Sequence, residues 1–163
     1  MDIDQDILNR IKQINWFTNC GQALENDMRF SYTRVYNWKE AMRSYQDPNW
    51  EHATLEARNE LTAFLHNKYR NEYAQWNKIA KEVRAFIEKE VIQEVENYRE
   101  KNELDQAFID CVKWDIANAI LESAYSKCNK RPTFFLELLK VYEAGNFPCG
   151  WDGKWPQGNV IVY

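Results

Sequence analysis

Apolar residues recur along this chain at spacings of three and four for most of its length. That period buries one face of an α-helix. The first stripe is Ile3, Ile7, Leu8, Ile11 and Ile14, with Asp2 or Asp4 placed to cap it. It runs into INWFTNCG, where Asn19, Cys20 and Gly21 read as a helix end with glycine just beyond it. Residues 22–36 have no clear period. In RFSYTRVY, Phe30, Tyr32, Arg34 and Tyr36 share one parity, a weak strand signal, yet the same residues also suit a helix with β-branched members. Both readings stay open there. NWKEAMRSYQ then reads as a short helix begun by Asn37.

Asp47-Pro48 marks the next start, because aspartate caps and proline is favoured at the first helical position. From Asn49 to Lys140 only Pro132 interrupts and no glycine occurs. Trp50, Ala53, Ala57, Leu61, Phe64 and Leu65 form one stripe; Trp76, Ile79, Ala80, Val83, Ile87, Val91, Val95 and Tyr98 form the next. HNKYRNEY between them holds either a tight turn from Asn67 to Asn71 or a bend in one long helix. Asn102 is placed to cap a helix over 103–128, where Leu104, Phe108, Cys111, Val112, Ile116, Ala119 and Ile120 cover a wide arc that Ile109 and Trp114 widen further. A helix apolar over most of its circumference belongs at the centre of a fold. Pro132 opens a last helix, with Phe134, Phe135, Leu138, Leu139 and Tyr142 inside and Gly145 as its stop.

The pattern breaks in GNFPCGWDGKWPQGNVIVY, from Gly145 to Tyr163. Four of the five glycines and two of the four prolines fall here, and NVIVY has the content of a short strand. Either Trp151 and Trp155 fold back as a cap over the helices, or they stand partly exposed as a binding lip. The phosphate-binding pattern is absent, since Gly153-Lys154 is followed by Trp155. The expectation is an all-α fold: a single-domain helical bundle over 1–163, closed by a turn-rich, tryptophan-containing cap over 145–163 with a short terminal strand.

The length of 163 residues suffices for a core without metal or disulfide staples. The aromatic share, 15 %, changes the picture, because it supplies a stiff core and leaves anchors for a partner. A net charge of −4 argues against a general nucleic-acid binder. The acidic, mixed opening MDIDQDILNRI is neither a signal nor a transit peptide, and no apolar run is long enough to span a membrane, so the cytoplasm is expected. Cys20, Cys111, Cys128 and Cys149 form no C-x-x-C pair and read as reduced thiols; the glycines after Cys20 and Cys149 raise the question whether those two are neighbours.

Candidate chemistry is sparse. His52 and His66 lie fourteen residues apart on one helix, roughly 21 Å, too far to share a metal. Cys149 has no identifiable base and reads as a packed thiol. No catalytic residue, metal site or cofactor is assigned. The one unusual set is Asp115 and Glu122, seven apart on the most apolar helix with Asn118 between them. They are either an exposed strip, acids buried with partners of their own, or a negative recess for a basic side chain of a partner.

INWFTNCG and YEAGNFPCGWDGKWPQGNVIVY resemble a group of small uncharacterised bacterial cytoplasmic helical proteins with a Cys-Gly-Trp tail, loosely associated with toxin–immunity neighbourhoods. The resemblance covers about a fifth of the chain and brings no catalytic motif. It implies bacterial origin and a tail that is a structural signature, and it shows no activity. Small size, mild acidity, abundant Trp and Tyr and the lack of a reaction centre, taken with the resemblance, lead to the expectation of an immunity-type inhibitor that neutralises a toxin by occupying it, the partner being a basic toxin domain. Asp115, Asn118, Glu122, Trp151 and Trp155 are the candidate contact residues. The alternatives are a small enzyme with a pocket under the C-terminal lid and a structural adaptor.

Overall fold

A computed structural model describes residues 3–18, 24, 30–102, 106–129 and 134–163. Helix α1 (Gln5–Lys12) is capped by Asp4, whose side chain accepts a hydrogen bond from the Asp6 amide, and buries Ile7, Leu8 and Ile11. It ends sooner than the sequence suggests. The chain turns over residues 16–18, and Phe17 takes a positive φ of 57°. That conformation is costly for a bulky residue. It sets the Phe17 ring 4.6 Å from that of Phe108 and 4.8 Å from that of Tyr98, so burial offsets the strain. Asn19, Cys20 and Gly21 lie outside the described residues, and with them the question whether Cys20 neighbours Cys149.

Helix α2 (Trp38–Tyr45) starts where Asn37 Oδ1 accepts from the Glu40 amide at 2.9 Å. Helix α3 (Pro48–Tyr69) starts where Asp47 Oδ1 accepts from the Asn49 amide at 2.7 Å. It ends in a tight turn closed by the Glu72 amide on the Tyr69 carbonyl, so the polar stretch is a turn and not a bend. Helix α4 (Tyr73–Ile87) continues through a π-helical turn (Glu88–Ile92) into α5 (Gln93–Asn102). The sequence explains the π turn. Residues four apart advance ~40° around a regular α-helix, so the stripe Ile79, Val83, Ile87, Val91, Val95 would drift off the core by ~160°. A wider turn rotates less per residue and holds the stripe inward. All five residues are buried, and Ile92 joins them.

Asn102 is the last described residue of α5, and the start of the next helix, where its cap was expected, lies outside the described residues. Leu104 and Pro132, expected at the starts of the last two helices, lie outside the described residues. Helix α6 (Gln106–Asn129) is the hub, packed against α7, α3, α4, α5 and α1. The wide apolar arc predicted this, with one exception: Trp114 points outward and is 46 % exposed. Helix α7 (Phe134–Glu143) ends at Gly145, φ 78°, with the Gly145 amide on the Tyr142 carbonyl and the Asn146 amide on the Val141 carbonyl. This double closure needs a residue in the left-handed region, which glycine supplies without strain. Arg10 on α1 grips Glu143 with two bonds of 2.7 and 3.0 Å.

The fold is mostly helical as expected and the terminal strand is present, but that strand belongs to a small sheet that the all-α expectation did not include. Three strands form one sheet: β1 (Tyr32–Arg34), β2 (Pro148–Asp152) and β3 (Asn159–Val162), in the order β1-β3-β2. The period-two reading of RFSYTRVY therefore holds over 32–34. β3 pairs parallel with β1, Tyr32 opposite Val160, and antiparallel with β2, Trp151 opposite Val160. Phe147 and Tyr163 exchange amide–carbonyl bonds of 2.8 and 2.9 Å beyond the ladder. The turn-rich tail is thus a hairpin completed by a distant strand, packed on α2, α3 and α7.

Trp151 is 1 % exposed in this hairpin and explains its glycines. Its indole N–H donates to the Gln157 carbonyl at 3.3 Å. A Cβ on Gly158, φ 144°, would lie 2.5 Å from that indole nitrogen and 2.6 Å from the Asp152 carbonyl oxygen. Gly158→Ala combines a strained backbone with a clash that the buried ring cannot relieve. Its expected cost is about 3 kcal/mol, a fall in Tm of roughly 10 °C, read by thermal denaturation; an unchanged Tm contradicts this packing.

Candidate functional site

The two singled-out carboxylates are buried, and each has a partner within the chain. Glu122 is 4 % exposed. Its Oε1 accepts from the Phe134 amide at 3.1 Å and its Oε2 from the Leu136 amide at 2.8 Å. The first amides of a helix have no partner inside it. A carboxylate of α6 therefore caps α7 from the side, with the charge at the favourable end of the helix dipole.

Asp115, also 4 % exposed, accepts from the Tyr142 hydroxyl at 2.7 Å. Burial pushes its carboxyl up to about 7 from an ordinary 3.8, against the opposing effect of the Tyr142 hydrogen bond. Tyr142 is raised as well, by burial first and then by Asp115, Cys111 and Tyr45. Burial likewise raises Tyr45, which is also hydrogen-bonded with Cys111.

Asn118 is 7 % exposed; its Nδ2 donates to the Trp114 carbonyl one turn back, at 3.0 Å. Trp155 is half-buried against Phe134 and Trp151. Cys149 is buried, its thiol pushed up to about 12 by burial and pointed at the Ile161 carbonyl. That thiol is a poor nucleophile, since thiolate is the reactive form. His52 and His66 are both exposed. Among the described residues no cluster of three His, Cys, Asp or Glu side chains could hold a metal ion. No described helix is long and apolar enough to cross a membrane.

Sequence reasoning missed the residue around which the surface is organised. Trp114 lines three adjoining concavities along the outer face of α6. The apolar arc suggested one more core residue, and nothing in the local pattern marks it as outward. Arg58 of α3 stacks its guanidinium 4.6 Å above the indole. The first concavity, about 470 Å³, lies between the starts of α3 and α6 and is lined by Tyr45, Glu51, Asp110, Trp114 and Asp115 among others. Glu51 and Asp110 are exposed, so this side is acidic, with Asp115 in its wall. The second, about 540 Å³, lies between the end of α3, the start of α4 and α6. Leu61, Leu65, Tyr69, Trp76 and Leu121 give it an apolar lining, while Arg58, His66 and Arg70 supply its ionisable nitrogens and, among the described residues, no carboxylate lines it. The third, about 480 Å³, runs between α4 and α6, where Lys113 pairs with Glu88 at 3.0 Å.

No protein-family model matches this chain, and neither a curated protein nor a solved structure matches it. The reading of the site therefore rests on its own geometry.

Two consequences concern the buried acids. Asp115 binds its proton more tightly folded than unfolded, because its folded pKa is raised. Below about pH 4 both states are protonated and the acid has no effect on stability; as pH rises through 7 the unfolded state ionises first, and stability falls by on the order of 4 kcal/mol. Asp115→Asn keeps an acceptor for Tyr142 and removes the titration. Urea melts should show the variant gaining on the wild type between about pH 5 and pH 8; a constant difference contradicts the shift. Glu122→Ala leaves two amides at the start of α7 without their acceptor. A loss of about 3 kcal/mol in the same melts is expected, with Glu122→Gln intermediate.

Proposed function

We propose that this protein is a protein-binding module that acts by occupancy, and that its contact surface is the face around Trp114. The observation that carries this reading is a tryptophan left 46 % exposed on the central helix, stacked by an arginine and flanked by recesses on both sides. Tryptophan and arginine are the side chains that most often dominate binding energy, and a large ring anchored in a firm surface loses little entropy on contact. The recess beside Glu51 and Asp110 suits a lysine or arginine of a partner, with Asp115 behind them. A cation there would favour the ionised form of Asp115, so binding would release protons below neutral pH.

The finer reading is an immunity-type inhibitor that neutralises a toxin, its partner carrying a basic domain. Net charge −4 and the acidic recess support that choice of partner charge. Asp115, Glu122 and Trp151, candidates from sequence, are nearly closed to solvent and bonded within the chain, so the weight of the reading moves to Trp114, Glu51 and Asp110. Co-expression with the product of the adjacent gene tests it. Protection is expected to saturate at a fixed stoichiometry. Trp114→Ala should weaken binding about 30-fold or more, and Asp110→Lys about tenfold, mainly through faster dissociation. If no neighbouring product is toxic and none co-purifies, the inhibitor reading fails; if protection survives both substitutions, the interface lies elsewhere.

A further inference from the structure

We propose that the basic side of the Trp114 face is a small-molecule site for an amphiphilic carboxylic acid whose apolar chain carries an N–H or O–H donor. It lies across the indole from the acidic recess, and its test needs no partner protein, so it stands or falls apart from the reading above. The volume, about 540 Å³, falls within the range of ligand pockets, and the lining is the usual one: a mainly apolar wall with a few polar groups.

Three observations fix the ligand's chemistry. The wall of Leu61, Leu65, Tyr69, Trp76, Trp114 and Leu121 calls for an apolar body. Among the described residues Arg58 and Arg70 stand at the site without a carboxylate in ion-pair contact, and no acidic side chain lines it. A guanidinium offers a fork of donors matched to a carboxylate, and one already resting on a ring is partly desolvated, which strengthens the pairing. The third is Asn118, 93 % buried by its 7 % exposure. Its Nδ2 is committed to the Trp114 carbonyl, and its Oδ1 accepts no hydrogen bond among the described residues. Exchanging oxygen for nitrogen would set two oxygens against each other, so among the described residues the acceptor is the atom left without a partner. A buried acceptor without a donor is uncommon and costly, and a ligand N–H or O–H would satisfy it.

N-dodecanoylglycine carries all three features: an alkyl chain, an amide N–H and a carboxylate. Isothermal titration below its micellar range should show saturable binding of one molecule per chain. Dodecanoate, lacking the N–H, should bind several-fold more weakly, and dodecyltrimethylammonium, with the opposite charge, at least tenfold more weakly. Arg58→Gln combined with Arg70→Gln should erase the preference for anion over cation. These positions are half-exposed and exposed, so the variant should keep the wild-type melt. Asn118→Leu should bring N-dodecanoylglycine and dodecanoate to equal affinity while leaving the charge preference intact. Equal binding of anion and cation, or affinities indifferent to both the arginine and the asparagine substitutions, overturns the proposal. So does binding of an acidic amphipathic peptide on this wall when N-dodecanoylglycine does not bind, which would make it a protein contact.

Discussion

The placement of β3 between β1 and β2 is the constraint on which the rest depends. Asn159–Val162 offers hydrogen-bonding groups on both edges, and both are used. One edge meets a strand only a few residues earlier, through a local hairpin. The other meets Tyr32–Arg34, separated by nearly all the helices. Closing so long a loop costs entropy that grows only slowly with length, so the arrangement is affordable once the intervening helices are packed. Other contacts join the same two ends: Arg34 donates to Asn146 at 3.2 Å, and Arg10 grips Glu143 across 133 positions. The second is surface-exposed and worth little alone. The sheet, with Trp151 sealed beneath it, holds more.

The buried carboxylates show how the same helix serves structure and surface. Glu122 faces inward and organises the start of α7, two amides at once. Asp115, two turns earlier, faces Tyr142 yet also borders an open recess. Desolvation raises its carboxyl from the ordinary range to about 7. A charge that would be settled on the surface is thus sensitive to whatever enters the recess.

Across α6 the surface changes sign. On one side of Trp114 stand Glu51 and Asp110; on the other Arg58, His66 and Arg70. The net charge of the chain conceals this division, because summed charge says nothing of where charges sit. The face around Trp114 thus presents acidic side chains at one edge of the indole and arginines at the other.

Much of the fold was legible in the sequence because its signals are local. The caps at Asp4, Asn37 and Asp47, the stop at Gly145, and the stripes of α3, α4 and α6 depend on neighbours within a turn or two. The hairpin around Trp151 was half visible, as turns and a strand. Its partner strand was not, because pairing between 32–34 and 160–162 leaves no mark in either segment beyond a weak alternation. The fates of Asp115, Glu122 and Trp114 were likewise undecided. Each sits on a helix whose apolar arc is so wide that spacing alone cannot say which residue faces the core and which the solvent. Only the packing of α1, α3, α4, α5 and α7 around α6 turned the acids inward and left the tryptophan outside, because it falls at the seam between α3 and α4, which neither helix covers.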